Sequence, residues 1–274
     1  MRAAPQTQMG CTALLKKASL VGAFFIFGVY SAAALAFCPA PGNLPSVKVQ
    51  RVVDGDTLRL VDGRNVRLIG LNTPEMGRQG RSAEPFAEAA RKRLQALVAA
   101  SDERVSLQYG KQAKDHYGRT LAHAYDNRGR NLEAQLLAEG LGYLVAVAPN
   151  LALVPCQQAA ERSARQARAG LWQRSPVQAA EQLSSGGFAL LQGQVERVER
   201  NGGGLWLEMG DSLVLHIAPR ALDNFDLRAV QALEGRKVEA RGWVIDRSKR
   251  GGLRAGQARW MLPLTDKAML EVLP

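Results

Sequence analysis

Apolar residues dominate Val47 to Val53, and apolar and polar positions alternate from Thr57 to Val61 and from Asn65 to Leu71. Asp54-Gly55-Asp56 and Asp62-Gly63 separate these runs as turn signals, so the pattern predicts a three-stranded β-meander. After Gly80 the period changes. Phe86, Ala90, Leu94 and Leu97 share one face of a predicted helix, with Ser82 as its N-cap and its end near Ala99. Arg104–Tyr109 and Arg119–Tyr125 return to strand character, and two further helices are predicted near Asn131–Glu139 and Pro155–Trp172.

A second series follows a stretch poor in large apolar residues, Gln173 to Gly187, which ends in Ser-Ser-Gly-Gly and reads as a domain boundary. Leu190–Val198, Leu205–Met209 and Leu213–Ile217 are predicted strands, Arg220–Leu233 is mostly helical, and Lys237–Ile245 and Ala258–Leu264 are strands again. Three strands, a helix and two strands is the order of an OB-fold, a five-stranded barrel that often binds oligonucleotides. The fold class expected is therefore α+β, mainly β. A β-rich body with three helices spans 37–173, a linker spans 174–187, and a second, OB-like β-barrel spans 188–274.

Composition narrows the function. With 46% hydrophobic and 22% charged residues the chain is globular. Lys and Arg outnumber Asp and Glu by 36 to 25, a net charge of +11 that argues for an anionic partner. Most of that excess sits before the boundary. Three cysteines without CxxC, and three histidines without HExxH, exclude the common zinc-site patterns.

The first 36 residues read as an address. Arg2, Lys16 and Lys17 precede an uncharged run from Ala18 to Ala36 that ends in Ala34-Leu35-Ala36, the A-x-A pattern of a cleaved secretory signal. The run is also long enough to be an uncleaved anchor, the one case in which membrane contact is expected. Either way the body is exported, to a periplasm or outside the cell. Cleavage leaves Cys38 and Cys156 as an even pair in an oxidising compartment, so one disulfide is expected.

Between Asp54 and Glu75 the short strands and turns carry Asp54, Asp56, Arg67, Asn72 and Glu75. A meander returns beside its own start, so Asp56 and the segment 72–75 can converge. Carboxylate and carbonyl oxygens at one point suit a hard cation such as Ca²⁺. An arginine aimed there suits a phosphoryl group, and Glu75 supplies a general base for water. Each residue alone also has a plainer reading, as turn or as solvent-facing strand.

The runs Val53-Asp54-Gly55-Asp56-Thr57, Arg67-Leu68-Ile69-Gly70-Leu71-Asn72-Thr73-Pro74-Glu75 and Tyr117-Gly118-Arg119 resemble the thermonuclease (staphylococcal nuclease) family. Asn131-Leu132-Glu133, Glu139-Gly140-Leu141 and Gly170-Leu171-Trp172 extend the likeness over about residues 46–173. The resemblance implies an OB barrel carrying helices and a Ca²⁺-dependent endonuclease acting on DNA and RNA with little sequence preference, giving 3′-phosphate ends. It implies that Arg67 and Arg119 bind the scissile phosphate and that Glu75 activates water. It also implies that Asp56, the side chain of Asn72 and the carbonyl of Thr73 hold the metal. No small organic cofactor is expected, and the protein is expected to be a monomer.

Two positions depart from the family pattern. Asn72 stands where that pattern has Asp, which removes one negative charge from the cation site. Val145-Ala146-Val147-Ala148-Pro149 lacks the tyrosines that the family places before this proline and uses to contact nucleotide. Weaker mononucleotide binding is expected unless the second barrel's basic loop compensates through Arg247, Lys249, Arg250 and Arg254. Lys111, Lys114 and Tyr117 are further candidates for nucleic-acid contact; a solvated loop explains the two lysines equally well. The alternative function is a non-catalytic, nucleic-acid-binding envelope protein that retains the barrel.

Overall fold

The computed structural model describes residues 37–77, 80, 82–250, 253 and 256–274, with Arg250 described by its backbone alone. The predicted signal segment and Arg254 lie outside the described residues. The first body opens with β1 (Ser46–Asp54), β2 (Thr57–Leu60), β3 (Asn65–Leu68) and the short β4 (Leu71–Asn72). It continues through α1 (Ala87–Ala99), β5 (Arg104–Lys114), β6 (Thr120–Tyr125), α2 (Leu132–Ala138), β7 (Tyr143–Leu144) and α3 (Val154–Ala167).

Strands β1, β2, β3, β6 and β5 close into a barrel in that order. The two predicted Asp-Gly turns make the hairpins, with Val52 opposite Leu58 and Leu58 opposite Val66. β3 and β6 run parallel, with Arg67 beside Leu121. Leu58, Leu60, Val66, Leu68, Leu107, Ala122 and Ala124 fill the interior, and Leu94 of α1 and Leu132, Leu136 and Leu137 of α2 close it. Leu94 is fully buried; truncating such a leucine to alanine costs about 2–5 kcal/mol.

The predicted third strand breaks at Ile69-Gly70. Gly70 has φ +85°, and a Cβ there would run into the Gln157 side chain, whose Nε2 donates to the Ile69 carbonyl at 3.0 Å. This bend turns the chain off the barrel wall into β4, which pairs with β7, Asn72 opposite Tyr143.

The first helix begins four residues later than an N-cap at Ser82 predicts. Glu84 precedes Pro85, a position that disfavours helical backbone, and its carboxylate accepts the Glu75 backbone N–H at 2.8 Å. Phe86 then sits in the left-handed region with φ 68°, and the helix starts at Ala87. Asn131 caps α2 by accepting from the Ala134 N–H at 2.8 Å. α3 stops at Ala167, short of the predicted Trp172, because Arg168 turns left-handed with φ 50° and Gly170–Gln173 tightens into a 3₁₀ turn. Cys38 and Cys156 form a disulfide that ties the segment before β1 to the start of α3.

The stretch expected as a linker is itself structured. It contains β8 (Val177–Ala179), which pairs in parallel with β9 (Gly187–Gln194). The second body continues with β10 (Arg197–Asn201), β11 (Gly204–Met209), β12 (Leu213–Ile217), α4 (Leu227–Gln231), β13 (Lys237–Asp246), β14 (Trp260–Leu264) and β15 (Leu270–Val272). The helical region 220–233 divides into a 3₁₀ turn, Pro219–Asn224, and α4, which Asp226 caps.

The predicted strand 190–198 is two strands separated by Val195 and Glu196. Val195 donates to Arg236 on one side of this bend, and Glu196 donates to Glu208 on the other. One strand therefore serves both ends of a sheet ordered β10-β11-β12-β14-β13-β9-β8, with β15 added beside β13. β12 and β14 pair in parallel, as β3 and β6 do in the first body.

The two bodies share one compact unit, Ala36–Pro274. Ala146 and Val154 of the first body pack in the same apolar cluster as Leu191, Val244 and Met269 of the second. Beside this cluster Arg241 donates to Glu161 at 2.6 Å and to Glu239 at 2.8 Å, and Glu239 also pairs with Arg165 at 2.8 Å. α3 and β13 are thus joined by four charged side chains that are largely removed from water.

Candidate active site

The Gly70 bend and the Asp54–Asp56 turn bring two separate segments together. Asp56 is buried; its Oδ2 accepts the backbone N–H of Thr73 at 3.0 Å, and its Oδ1 accepts the Thr57 hydroxyl at 3.0 Å. Arg67 Nη2 lies 3.0 Å from Asp56 Oδ2 and donates to Asn72 Oδ1 at 3.1 Å. Its Nη1 donates to the carbonyls of Leu68 and Leu71 at 2.8 and 2.6 Å, which fixes the plane of the guanidinium. Burial, with the charge of Asp56 beside it, pushes the Asp54 carboxyl up to about 6.

Two oxygens from different segments, Asp56 Oδ2 and Asn72 Oδ1, thus converge on one positively charged nitrogen. Both oxygens are engaged by Arg67, and both are hard donors of the type that calcium takes. Among the described residues no cluster of three or more His, Cys, Asp or Glu side chains could hold a metal. A cation held here would have one carboxylate ligand, Asp56, with neutral oxygens completing the set.

Arg119 is built differently. Asp115 accepts its backbone N–H at 2.9 Å and its Nε at 2.7 Å, and also accepts the Tyr117 N–H at 3.0 Å. Burial alone would raise the Asp115 carboxyl, but the bonds from Arg119 outweigh it and hold the group below its ordinary range. The two terminal amino groups of Arg119 have no protein partner among the described residues and form an open fork. The guanidinium carbon lies 5.3 Å from the Tyr117 ring centre, and Tyr117 is 73% exposed.

Arg67 and Arg119 line one cavity of ≈ 480 Å³, together with Tyr117, Val145 and Val147. A neighbouring cavity of ≈ 1000 Å³ is lined by Asn72, Thr73 and Glu75. The Glu75 side chain is exposed there, and its backbone is clasped to Glu84 in both directions, at 2.8 and 3.0 Å. Asp56, Arg67, Asn72 and Thr73 therefore meet directly, Arg119 shares a cavity with Arg67, and Glu75 opens on the adjoining one.

The other predicted contacts lie apart. Lys111 and Lys114 are exposed on β5 and do not line either cavity. Arg247 is spent on the Ala258 carbonyl and the Gln257 side chain, at 3.1 and 3.2 Å. Lys249 borders a separate recess with Ser184 and Arg259. Among the described side chains of the basic loop, Arg247 and Lys249 border recesses other than the one that Val145 and Val147 line.

Sequence reading passed over Asp115, whose signal was its place in the turn before Arg119. It also passed over Trp243 of β13, which borders both cavities and which no local pattern marks.

The staphylococcal nuclease homologue family model matches residues 65–174, which contain Arg67, Asn72, Glu75 and Arg119. A thermonuclease of Staphylococcus hyicus is 33% identical over 134 residues, 47% of this chain and 77% of the relative. A thermonuclease of Staphylococcus intermedius is 33% identical over 132 residues, with the same two coverages. Endonuclease YncB of Bacillus subtilis (strain 168) is 30% identical over 138 residues, 48% of this chain and 64% of that protein. With a third of the aligned residues identical across most of a thermonuclease, and with a closed barrel carrying the matching segment, the chain belongs to the staphylococcal nuclease homologue family and is a hydrolase of the phosphodiesterase class.

Proposed function

We propose that the chain is an exported, calcium-dependent nuclease that hydrolyses DNA and RNA with little sequence preference and leaves 3′-phosphate ends. The observation that carries this reading is Arg67, which meets Asp56 and Asn72 on one side and lines a cavity with Arg119 on the other. Glu75, on the adjoining cavity, takes a proton from water as the resulting hydroxide attacks phosphorus. Arg67 and Arg119 stabilise the charge that grows on the phosphoryl oxygens. The bond from phosphorus to the 5′ oxygen breaks, that oxygen takes a proton from solvent water as it leaves, and the hydroxyl remains on the 3′-phosphate.

Asp56, the Asn72 amide oxygen and the Thr73 carbonyl would hold the calcium ion, which supplies charge neutralisation at a phosphate oxygen when bound. The backbone provides the contacts, so sequence matters little. The second body is read as an OB-like barrel on the pairing of β12 with β14 and the bent strand β9–β10. The division into 37–173 and 188–274, with the structured joint between, follows from the same reading. Export rests on the A-x-A pattern and agrees with the Cys38–Cys156 disulfide.

The test uses residues 37–274 with fluorescent DNA and RNA in calcium, in magnesium and in chelator, beside Glu75→Gln. Calcium-dependent cutting that Glu75→Gln lowers by a factor of about a hundred or more is expected. Undiminished cutting in chelator would remove the metal from the mechanism. Retained binding with no cutting would favour the non-catalytic alternative.

A further inference from the structure

β13 alternates strictly across the joint between the two barrels. Ala240 and Val244 face the apolar core of the second barrel, while Glu239, Arg241 and Trp243 share the other face. Glu239 and Arg241 are locked to Arg165 and Glu161 of α3. Two residues beyond Arg241, the same face delivers Trp243 to the active-site cavities.

Trp243 is 41% exposed on a strand whose neighbouring positions are mostly buried. Its ring stands edge-on to Phe188, with centres 5.2 Å apart and planes at 65°. Phe188 in turn packs on Tyr143 at 5.4 Å, and Tyr143 meets Trp172 edge-on at 5.7 Å. This aromatic chain and the ion pairs hold the indole in place while leaving much of its surface open to solvent.

Trp243 also borders both the cavity of Arg67 and Arg119 and the cavity of Glu75. Val145 and Val147, from the segment that lacks the tyrosines the family places before Pro149, line the first of these and offer no ring. Arginines for phosphate beside an exposed, fixed indole make a composite surface suited to a nucleotide, because every base presents a π-face.

We propose that Trp243 is a base-stacking platform of the active site, supplied by the second barrel, for a nucleotide next to the scissile phosphate of single-stranded DNA or RNA. The proposal rests on the nuclease reading above for the identity of the substrate. It makes the second barrel part of the substrate site.

Binding is measured in the Glu75→Gln background, by anisotropy of a fluorescein-labelled oligothymidylate and of an abasic oligomer with the same number of phosphates. Trp243→Ala should weaken oligothymidylate binding roughly ten-fold, the scale of one stacked base, and leave the abasic oligomer unchanged. Trp243→Phe, which keeps a ring against Phe188, should recover most of the loss. In the Glu75-containing enzyme the same variants should show the defect in KM rather than kcat.

Oligothymidylate binding that is the same in Trp243→Ala and Trp243→Phe as in the parent would overturn the platform. Equal weakening on the abasic oligomer would overturn it too, since the loss would then not concern a base. Should Trp243→Ala fail to fold, Trp243→Leu, which keeps apolar bulk against Phe188 but has no ring to stack on a base, carries the comparison with the parent on both oligomers. A chain that cuts without depending on Trp243 refutes the platform alone. A chain that binds through Trp243 without cutting refutes the nuclease reading and leaves the platform standing.

Discussion

Arg241 Nη1 of the second body donates to Glu161 Oε2 of the first at 2.6 Å, and both side chains are at most 5% exposed. The other Glu161 oxygen accepts the Leu144 backbone N–H at 2.8 Å, beside the cavities. Arg241→Met leaves Glu161 with less compensation in a dry joint and should cost about 3–5 kcal/mol, read from urea unfolding. Glu161→Gln keeps an acceptor for Leu144, so Arg241→Met combined with Glu161→Gln should recover much of that loss. A single Arg241→Met variant as stable as the parent would show that the joint does not depend on this pair.

Acid should attack the same joint. Burial raises the Glu239 carboxyl, but Arg165 and Arg241 together outweigh it and hold it below the ordinary glutamate range. A carboxyl depressed in the folded state contributes stability that is fully present above its unfolded pKa of about 4.3. That contribution is lost as pH falls through the lower, folded value. Urea midpoints should therefore decline below about pH 4.3, and Glu239→Gln, less stable at neutral pH, should show a shallower decline.

Asn72→Asp should strengthen the cation site. Asn72 Oδ1 lies within 3.1 Å of Arg67 Nη2 and near Asp56, so a carboxylate there adds negative charge where two oxygens already converge. Calcium binding by titration calorimetry should tighten roughly ten-fold, and the calcium requirement for cutting should fall in parallel. An unchanged affinity would remove position 72 from the ligand set.

Asp115 is predicted to position Arg119 without touching substrate. Asp115→Asn removes the charged acceptor that holds Nε at 2.7 Å, and the open fork then loses its orientation. A fall in kcat of about ten- to a hundred-fold is expected, with folding stability less affected. Arg119→Lys should cost more, because a lysine cannot present a planar fork.

Much of the first barrel was legible because its turns announce themselves: Asp54-Gly55-Asp56 and Asp62-Gly63 stand at the observed hairpins, and Asn131 caps the helix it was expected to start. The Arg67–Glu75 run was legible as chemistry for the same reason, being short and local. What escaped is long-range. The bend at Gly70 answers to Gln157, 87 residues later in the chain by number. The late start of α1 answers to Glu84 reaching Glu75, which a helix-face pattern does not register. β8 and β15 are three residues each and exist because a neighbouring strand offers an edge. Trp243 looked like an ordinary strand residue until pairing placed β13 against α3.

Removing the disulfide should destabilise the first barrel. Cys38→Ser with Cys156→Ser frees a loop of 118 residues and should cost about 2–4 kcal/mol in thermal or urea unfolding. Reductant should bring the parent to the same midpoint, and a parent indifferent to reductant would show the bond to be energetically idle.

The same bond has a topological consequence. Asp56, Arg67, Glu75 and Arg119 all lie inside the covalent ring closed by Cys38 and Cys156, whereas Trp243 lies outside it. A protease that nicks the chain once at the exposed Tyr117 leaves two fragments still bound in one molecule. A nick between α3 and β8 leaves Trp243 attached only through non-covalent contacts of the joint, its ion pairs, apolar contacts and the Thr265 hydrogen bonds. The arginines and the indole are thus retained by different chemistry, one by a bond that only a reductant opens, the other by contacts that acid or urea can release.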